Sequence, residues 1–250
     1  MAIKTVAGNW KLNKGPNEAV EFIYEFKEMA STEDMEKFIL FLPALTLGSV
    51  ANTLTQENML WGGQNVYFET SGAFTGENSA KVLKELGATH CLVGHSERRQ
   101  LFGETDEWMA KKVRVLQDND IEPMLCVGET LEQREAGKTI EVISHQLAKG
   151  LENLDREKPF SIAYEPVWAI GTGKVATPEI AEEAHCALRE KLQSIVDQDK
   201  AKNTSILYGG SVKPDNAKEL GDKPNIDGFL VGGASLDPQS FFNIFVNAMG

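Results

Sequence analysis

A chain of 250 residues, 42% hydrophobic and 25% charged, can bury a substantial core and shows no compositional bias towards disorder. The formal net charge of −12 excludes a general affinity for nucleic acid or anionic membranes. An anionic small molecule stays admissible if local donors and dipoles overcome the global repulsion.

The first residues, Met1-Ala2-Ile3-Lys4, run straight into a β-rich segment at 5–8, with no apolar signal-peptide stretch ahead of it. Helical spacing follows at Val20, Ile23, Phe26 and Ala30. A second β segment covers 38–42 and a third 61–66. Leu86-Gly87 marks a helix end, where glycine can take the left-handed conformation, and the fourth β segment follows at 90–93. Ala110, Val113 and Leu116 share a helical face before the fifth segment, 124–127. Thr130 with Gln133 has the form of a capping box. Segments 162–164, 206–208 and 229–231 complete the set, and Thr177-Pro178 and Asp237-Pro238 each place a cap residue before a first-turn proline.

Alternation of strands and helices implies βαβ units and a parallel sheet. Eight such units in one chain predict an α/β fold, a single-domain (β/α)8 barrel spanning residues 1–250. A doubly wound open sheet is the structural alternative, weakened because no GxGxxG follows the first strand. Cys91, Cys126 and Cys186 are scattered and odd in number, so neither a disulfide framework nor a CxxC metal site is expected. Reduced thiols, a cytoplasmic location and no membrane span follow from this reading.

Barrels of this kind carry their chemistry on the loops after the strands. After the first strand stand Asn9 and Lys11, a neutral donor and a fixed positive charge. After the fourth come His95, at the start of a helical turn, and Glu97-Arg98-Arg99. Positive helix-end potential disfavours imidazolium, so His95 is expected neutral. Arg98, Arg99 and Glu104 read as structural ion pairs. After the sixth strand stands Glu165, a carboxylate beside Pro166, Val167 and Ile170, where burial is expected to raise its pKa into the range of a general base. The apolar segment from Pro166 to Ala176, with Gly171, Gly173 and Lys174, reads as a lid. Gly209-Gly210-Ser211 and Gly232-Gly233 follow the last two strands and match the phosphate site of such barrels.

These segments together resemble the signature set of the triosephosphate isomerase family. They are Asn9-Trp10-Lys11, Gly94-His95-Ser96-Glu97-Arg98-Arg99, the run from Ala163 to Lys174, Tyr208-Gly209-Gly210-Ser211 and Leu230-Val231-Gly232-Gly233-Ala234-Ser235. Gln64-Asn65 and Gly72-Ala73-Phe74-Thr75-Gly76-Glu77 also resemble that family, and the match runs from Ala7 to Leu236. The resemblance implies interconversion of glyceraldehyde 3-phosphate and dihydroxyacetone phosphate through an enediolate, with no cofactor and no metal. It implies that Glu165 removes the proton, that neutral His95 works at the two oxygens, and that Lys11 and Asn9 add charge and donors. Glu97 stands where the family has a supporting carboxylate. Gly171, Ser211, Gly232 and Gly233 would hold the phosphate through their amides. Thr75, on the loop 72–77, implies a homodimer in which each loop docks beside the other subunit's site.

Leu42-Pro43-Ala44, Trp61 and Val175 depart from the family's usual residues, and none is a proposed catalytic group. The competing readings are another phosphate-binding barrel enzyme and a catalytically inactive barrel scaffold. Both are disfavoured by the joint presence of Lys11, His95 and Glu165.

Overall fold

The computed structural model describes residues 5–170 and 176–250. Among them are eight strands: β1 (Thr5–Asn9), β2 (Phe38–Leu42), β3 (Leu60–Gly63), β4 (His90–Val93), β5 (Glu122–Val127), β6 (Ser161–Tyr164), β7 (Ile206–Tyr208) and β8 (Gly228–Val231). Each pairs in parallel with the next, and β8 pairs with β1, so the sheet closes into a barrel with helices between the strands. The predicted (β/α)8 architecture is the one observed.

Strands covered on both faces need apolar residues at nearly every position. β2, Phe-Ile-Leu-Phe-Leu, is buried throughout. Ala7, Ile39, Phe41, Leu92, Met124, Cys126, Ala163, Leu207 and Leu230 point into the barrel and form its inner core. Their neighbours Val6, Phe38, Leu40, Leu125, Ile162, Tyr164, Ile206 and Phe229 face outward into the layer shared with the helices. Phe38 there meets Phe26 edge-on at 4.7 Å and Phe241 at 5.2 Å between ring centroids. Truncating Phe38 to alanine would remove both contacts and cost about 3–5 kcal/mol.

The helix signals act as expected. Gln133 Oε1 accepts from the Thr130 amide at 2.9 Å while Thr130 Oγ1 accepts from the Gln133 amide at 3.3 Å. Thr177 and Asp237 cap the helices Pro178–Gln193 and Pro238–Met249 through the amides of Ile180 and Ser240. Gly87 closes the helix Ala80–Leu86 at φ 98°. Strand ends at β1, β5, β6 and β8 differ from the expected ones by one or two residues, and two boundaries differ by more. The helix Pro16–Lys27 ends before Ala30, and β3 ends at Gly63 rather than at residue 66. At that point Gln64 turns out of the sheet to bond the ends of β1 and β2.

Candidate active site

The barrel's own alternation aims two of the candidates. Side chains repeat every second residue along a strand, so the inward register of Ala7 continues to Asn9 and that of Ala163 continues to Glu165. Both arrive buried at the mouth formed by the C-terminal strand ends. His95 lies two residues beyond β4, as the N-cap of the helix Ser96–Phe102. Lys11 sits at φ 51°, a conformation that a residue with a Cβ adopts only when its surroundings hold it there. Asn9 Oδ1 accepts from the Lys11 amide at 3.0 Å, and Gln64 Nε2 donates to the Lys11 carbonyl at 2.9 Å.

The charged groups meet at short range. His95 Nε2 lies 2.9 Å from Glu165 Oε1. Glu165 Oε2 accepts from the Ser96 amide at 2.9 Å, so both of its oxygens are engaged. Lys11 Nζ donates to Glu97 Oε1 at 2.6 Å, and the Glu97 amide donates to His95 Nδ1 at 3.3 Å. In the neutral ring the proton therefore sits on Nε2, facing Glu165.

This contact reverses the expected titration of the pair. Burial is the largest influence on His95 and opposes its charge, but the charge and hydrogen bond of Glu165, helped by Glu97, prevail and hold its pKa above the ordinary value. Burial is likewise the largest influence on Glu165 and pushes it up; the opposing charge and hydrogen bond of His95, the Ser96 amide and Lys11 prevail and hold it down. The sequence reading weighed burial and helix position. It had no means of placing the two side chains against one another.

A cavity of about 300 Å³ at the mouth brings together Asn9, Lys11, His95 and Glu165 with Ser211, Gly232 and Gly233. Gly209 and Gly210 line it too, and the absence of side chains there has a steric cause. A Cβ on Gly209 would stand 3.1 Å from Glu165 Cγ, and one on Gly210 would stand 2.2 Å from the Tyr208 hydroxyl. Gly171 and the lid tip at 171–175 lie outside the described residues.

A sequence profile of the triosephosphate isomerase family matches residues 4–248. The chain belongs to the triosephosphate isomerase family. It is 50% identical over 242 residues to triosephosphate isomerase of Bdellovibrio bacteriovorus, covering 96% of this chain and 98% of that one. Identity is 48% over 238 residues with the enzyme of Lactobacillus delbrueckii subsp. bulgaricus, covering 94% of each chain. With that of Pediococcus pentosaceus it is 46% over the whole of both chains.

Three groups at this triosephosphate isomerase family site escaped the sequence reading. The Ser96 amide is a backbone donor and leaves no side-chain signature. Gln64 was noted only as part of a family motif, yet it braces Asn9, Lys11 and Phe41 through one carboxamide. Glu129 is fully buried beyond β5 and accepts from Tyr164 Oη at 3.0 Å and Trp168 Nε1 at 2.9 Å, with Arg134 at 3.6 Å. It thereby ties down the turn Val167–Ala169 that follows Glu165. A polar residue just after a strand was the signal, and it was present at Glu129.

The remaining charged residues of this region are structural, as expected. Arg98 Nε and Lys112 Nζ each reach Glu104 Oε1 at 2.6 Å, and Arg99 reaches Asp106 at 2.5 Å. Among the described residues no helix is long and apolar enough to cross a membrane, and no group of three or more His, Cys, Asp or Glu is arranged to hold a metal.

Proposed function

We propose that this chain interconverts glyceraldehyde 3-phosphate and dihydroxyacetone phosphate by moving a proton between adjacent carbons through an enediolate. The observation that carries the reading is the convergence of Glu165, His95, Lys11 and Asn9 with Ser211, Gly232 and Gly233 on a single cavity. A carboxylate, an imidazole and a fixed cation suit the reacting end of a triose phosphate. Backbone amides near glycines suit its phosphate.

The free-state contacts supply the sequence of events. Glu165 cannot act while both oxygens accept from protein donors. A substrate carbonyl oxygen that takes the Nε2 proton of His95 as its own donor releases Glu165 Oε1 to face the carbon-bound hydrogen. Separation of the pair also withdraws the influence each exerts on the other, the strongest that raises His95 and the strongest that depresses Glu165. The base strengthens as the ring returns towards neutrality, which is the condition the chemistry needs. Glu165 then takes the proton and becomes a carboxylic acid, and charge collects on the enediolate oxygens. His95 Nε2–H, Lys11 and Asn9 stabilise that charge without help from a metal. His95 Nε2–H passes its proton to the former carbonyl oxygen and recovers one from the neighbouring hydroxyl, and Glu165 returns its proton to the adjacent carbon as the carbonyl forms at the other position.

The proposed assembly is a homodimer of two such chains in the cytoplasm, with no nucleic-acid partner. A second cavity of about 310 Å³ adjoins Asn9, Lys11 and His95 from the other side. Exposed apolar residues stand around it: Leu12, Phe102 and, nearby in sequence to its walls, Leu45 and Phe74. An apolar rim of this kind on a chain of charge −12 suits a second copy better than solvent. The test of the whole reading is a coupled assay of triose phosphate interconversion on metal-stripped protein. Turnover supports it, and a folded protein without turnover refutes it.

A further inference from the structure

Behind Glu165 lies a smaller cavity of about 100 Å³, separate from the substrate cavity. Ser96, Arg99, Cys126, Gln133 and Gln146 line it, and Gln100 stands at its rim. Among the described residues Glu165 alone lines both cavities, and its carboxylate is bonded by the amide of Ser96, which lines the rear one. One oxygen faces His95 on the substrate side, and the other accepts from the Ser96 amide on the rear side. Glu165 and Ser96 are buried, Gln133 and Gln146 are half-buried, and Gln100 is exposed, so the cavity runs from the carboxylate to the surface. Its walls carry two carboxamides and a guanidinium, and its volume suffices for about three water molecules.

We infer that this rear cavity is the solvent side of the general base, the route by which a proton held on Glu165 exchanges with bulk water while substrate fills the front. The inference rests on the isomerase reading and extends it. Once Glu165 has taken a proton from carbon, it is a neutral carboxylic acid beside an enediolate. In heavy water, rotation of the protonated carboxyl group about its Cγ–Cδ bond carries the proton to the rear cavity. There that oxygen passes it to D2O and receives a deuteron in return, leaving Glu165–COOD and HOD, and the reverse rotation brings the deuteron back to the front. No charge is gained or lost, and no further reactant is needed. Return of the deuteron to carbon labels the product; return before exchange leaves it unlabelled. The partition between the two outcomes measures access from the rear.

The experiment runs glyceraldehyde 3-phosphate to dihydroxyacetone phosphate in D2O, trapping product as it forms and reading protium against deuterium at the reprotonated carbon by NMR. The parent chain is expected to give both labels. Gln100→Trp narrows the rim from an exposed position, and Gln146→Met replaces a polar wall by an apolar one of similar size. Each should lower the deuterium fraction about threefold, and Gln100→Ala should raise it, with kcat/KM held within about twofold. The Gln100 variants lie on an exposed surface, so a folding failure of Gln146→Met leaves the test intact. A deuterium fraction unchanged across the folded variants overturns the route, as does parent product free of deuterium. No turnover by the parent chain would instead sink the isomerase reading itself, and that outcome is distinct because label is read only from product.

Discussion

The two ends of the barrel each hold a histidine beside a glutamate, and they behave in opposite ways. At the mouth, His95 and Glu165 touch at 2.9 Å, and the Ser96 amide adds a second donor to the carboxylate. At the floor, His90 and Glu122 begin the adjacent strands β4 and β5, where they stand opposite one another in register. Their nearest side-chain atoms are 3.7 Å apart. Burial dominates there: it pushes His90 down to about 4 and Glu122 upward, each towards its neutral form. Pairing dominates at the mouth and drives each partner towards its charged form. Residue identity is the same at the two ends and both histidines are buried, and Glu165 is the more deeply buried of the two glutamates yet the one held towards its charged form. Contact distance and one backbone donor decide which influence wins.

The largest expected effect separates the two glutamates by turnover. Glu165→Gln should lower kcat by about 10³-fold or more while a phosphate-bearing inhibitor still binds, because it removes a transition-state proton transfer rather than uniform binding. Glu122→Gln should leave kcat within about twofold of the parent. Steady-state kinetics on both variants would break the comparison if the floor substitution proved as damaging as the mouth one.

Next in size is the dependence of the mouth, and not the floor, on a second chain. Shortening the loop at Phe74-Thr75-Gly76 should give monomers by sedimentation, with activity lowered about 10²-fold through looser placement of Lys11 and His95. The titration of His90 should not move. An intact, fully active dimer would contradict the proposed assembly.

A third expectation concerns stability against pH at the floor. His90 titrates near 4 in the folded chain against an ordinary value of 6.5, so between those values the unfolded chain binds the extra proton. Its contribution is whole above 6.5 and drains away as the pH falls towards 4. Glu122 works in the opposite sense: with its folded value raised above 4.5, the stability it lends at lower pH is lost as pH rises through that value. Denaturant unfolding of His90→Gln should show a flatter loss of stability on acidification between pH 6.5 and 4 than the parent does. An equal slope would remove His90 from the account. His185, also buried and held near 4, adds a parallel contribution that the substitution leaves in place.

The smallest effect is a shift in a titration curve. In the free protein the His95 ring should titrate above the ordinary histidine value by NMR. A phosphate-bearing inhibitor whose oxygen takes the Nε2 proton should lower it, because the contact with Glu165 is then broken. A curve unmoved by a bound inhibitor would mean that the pair does not separate, and the proposed release of the base would fall with it.

Most of the frame was legible in the chain itself. Short apolar segments mark strands covered on both faces, and local bonds at Thr130, Thr177, Asp237 and Gly87 mark the ends of helices. Those signals involve residues within a few positions of one another, so sequence spacing suffices to read them. Asn9, Lys11, His95 and Glu165 were legible for a related reason. Each lies at the end of a strand or within two residues of it, and in a parallel barrel every such position lies at the same end.

What the chain could not display are contacts between groups far apart along it. The titration of Glu165 was misjudged because its two strongest partners lie near residue 95, in another βα unit. Gln64 gave no sign that it would brace Lys11 at positive φ, since that bond spans 53 positions. Glycine at 209 and 210 pointed to a phosphate site only jointly with the pair at 232 and 233; the fold adds that Glu165 and Tyr208 leave little or no room for a Cβ. Sequence by itself determined the number and order of the strands, the capped helix ends at Gly87, Thr130, Thr177 and Asp237 and which residues reach the mouth, because these depend on local hydrogen bonding and on the two-residue repeat of a strand. Tertiary structure alone decided which of those residues touch, and so which are charged, because electrostatic influence depends on separations of a few ångströms that only the closed barrel sets.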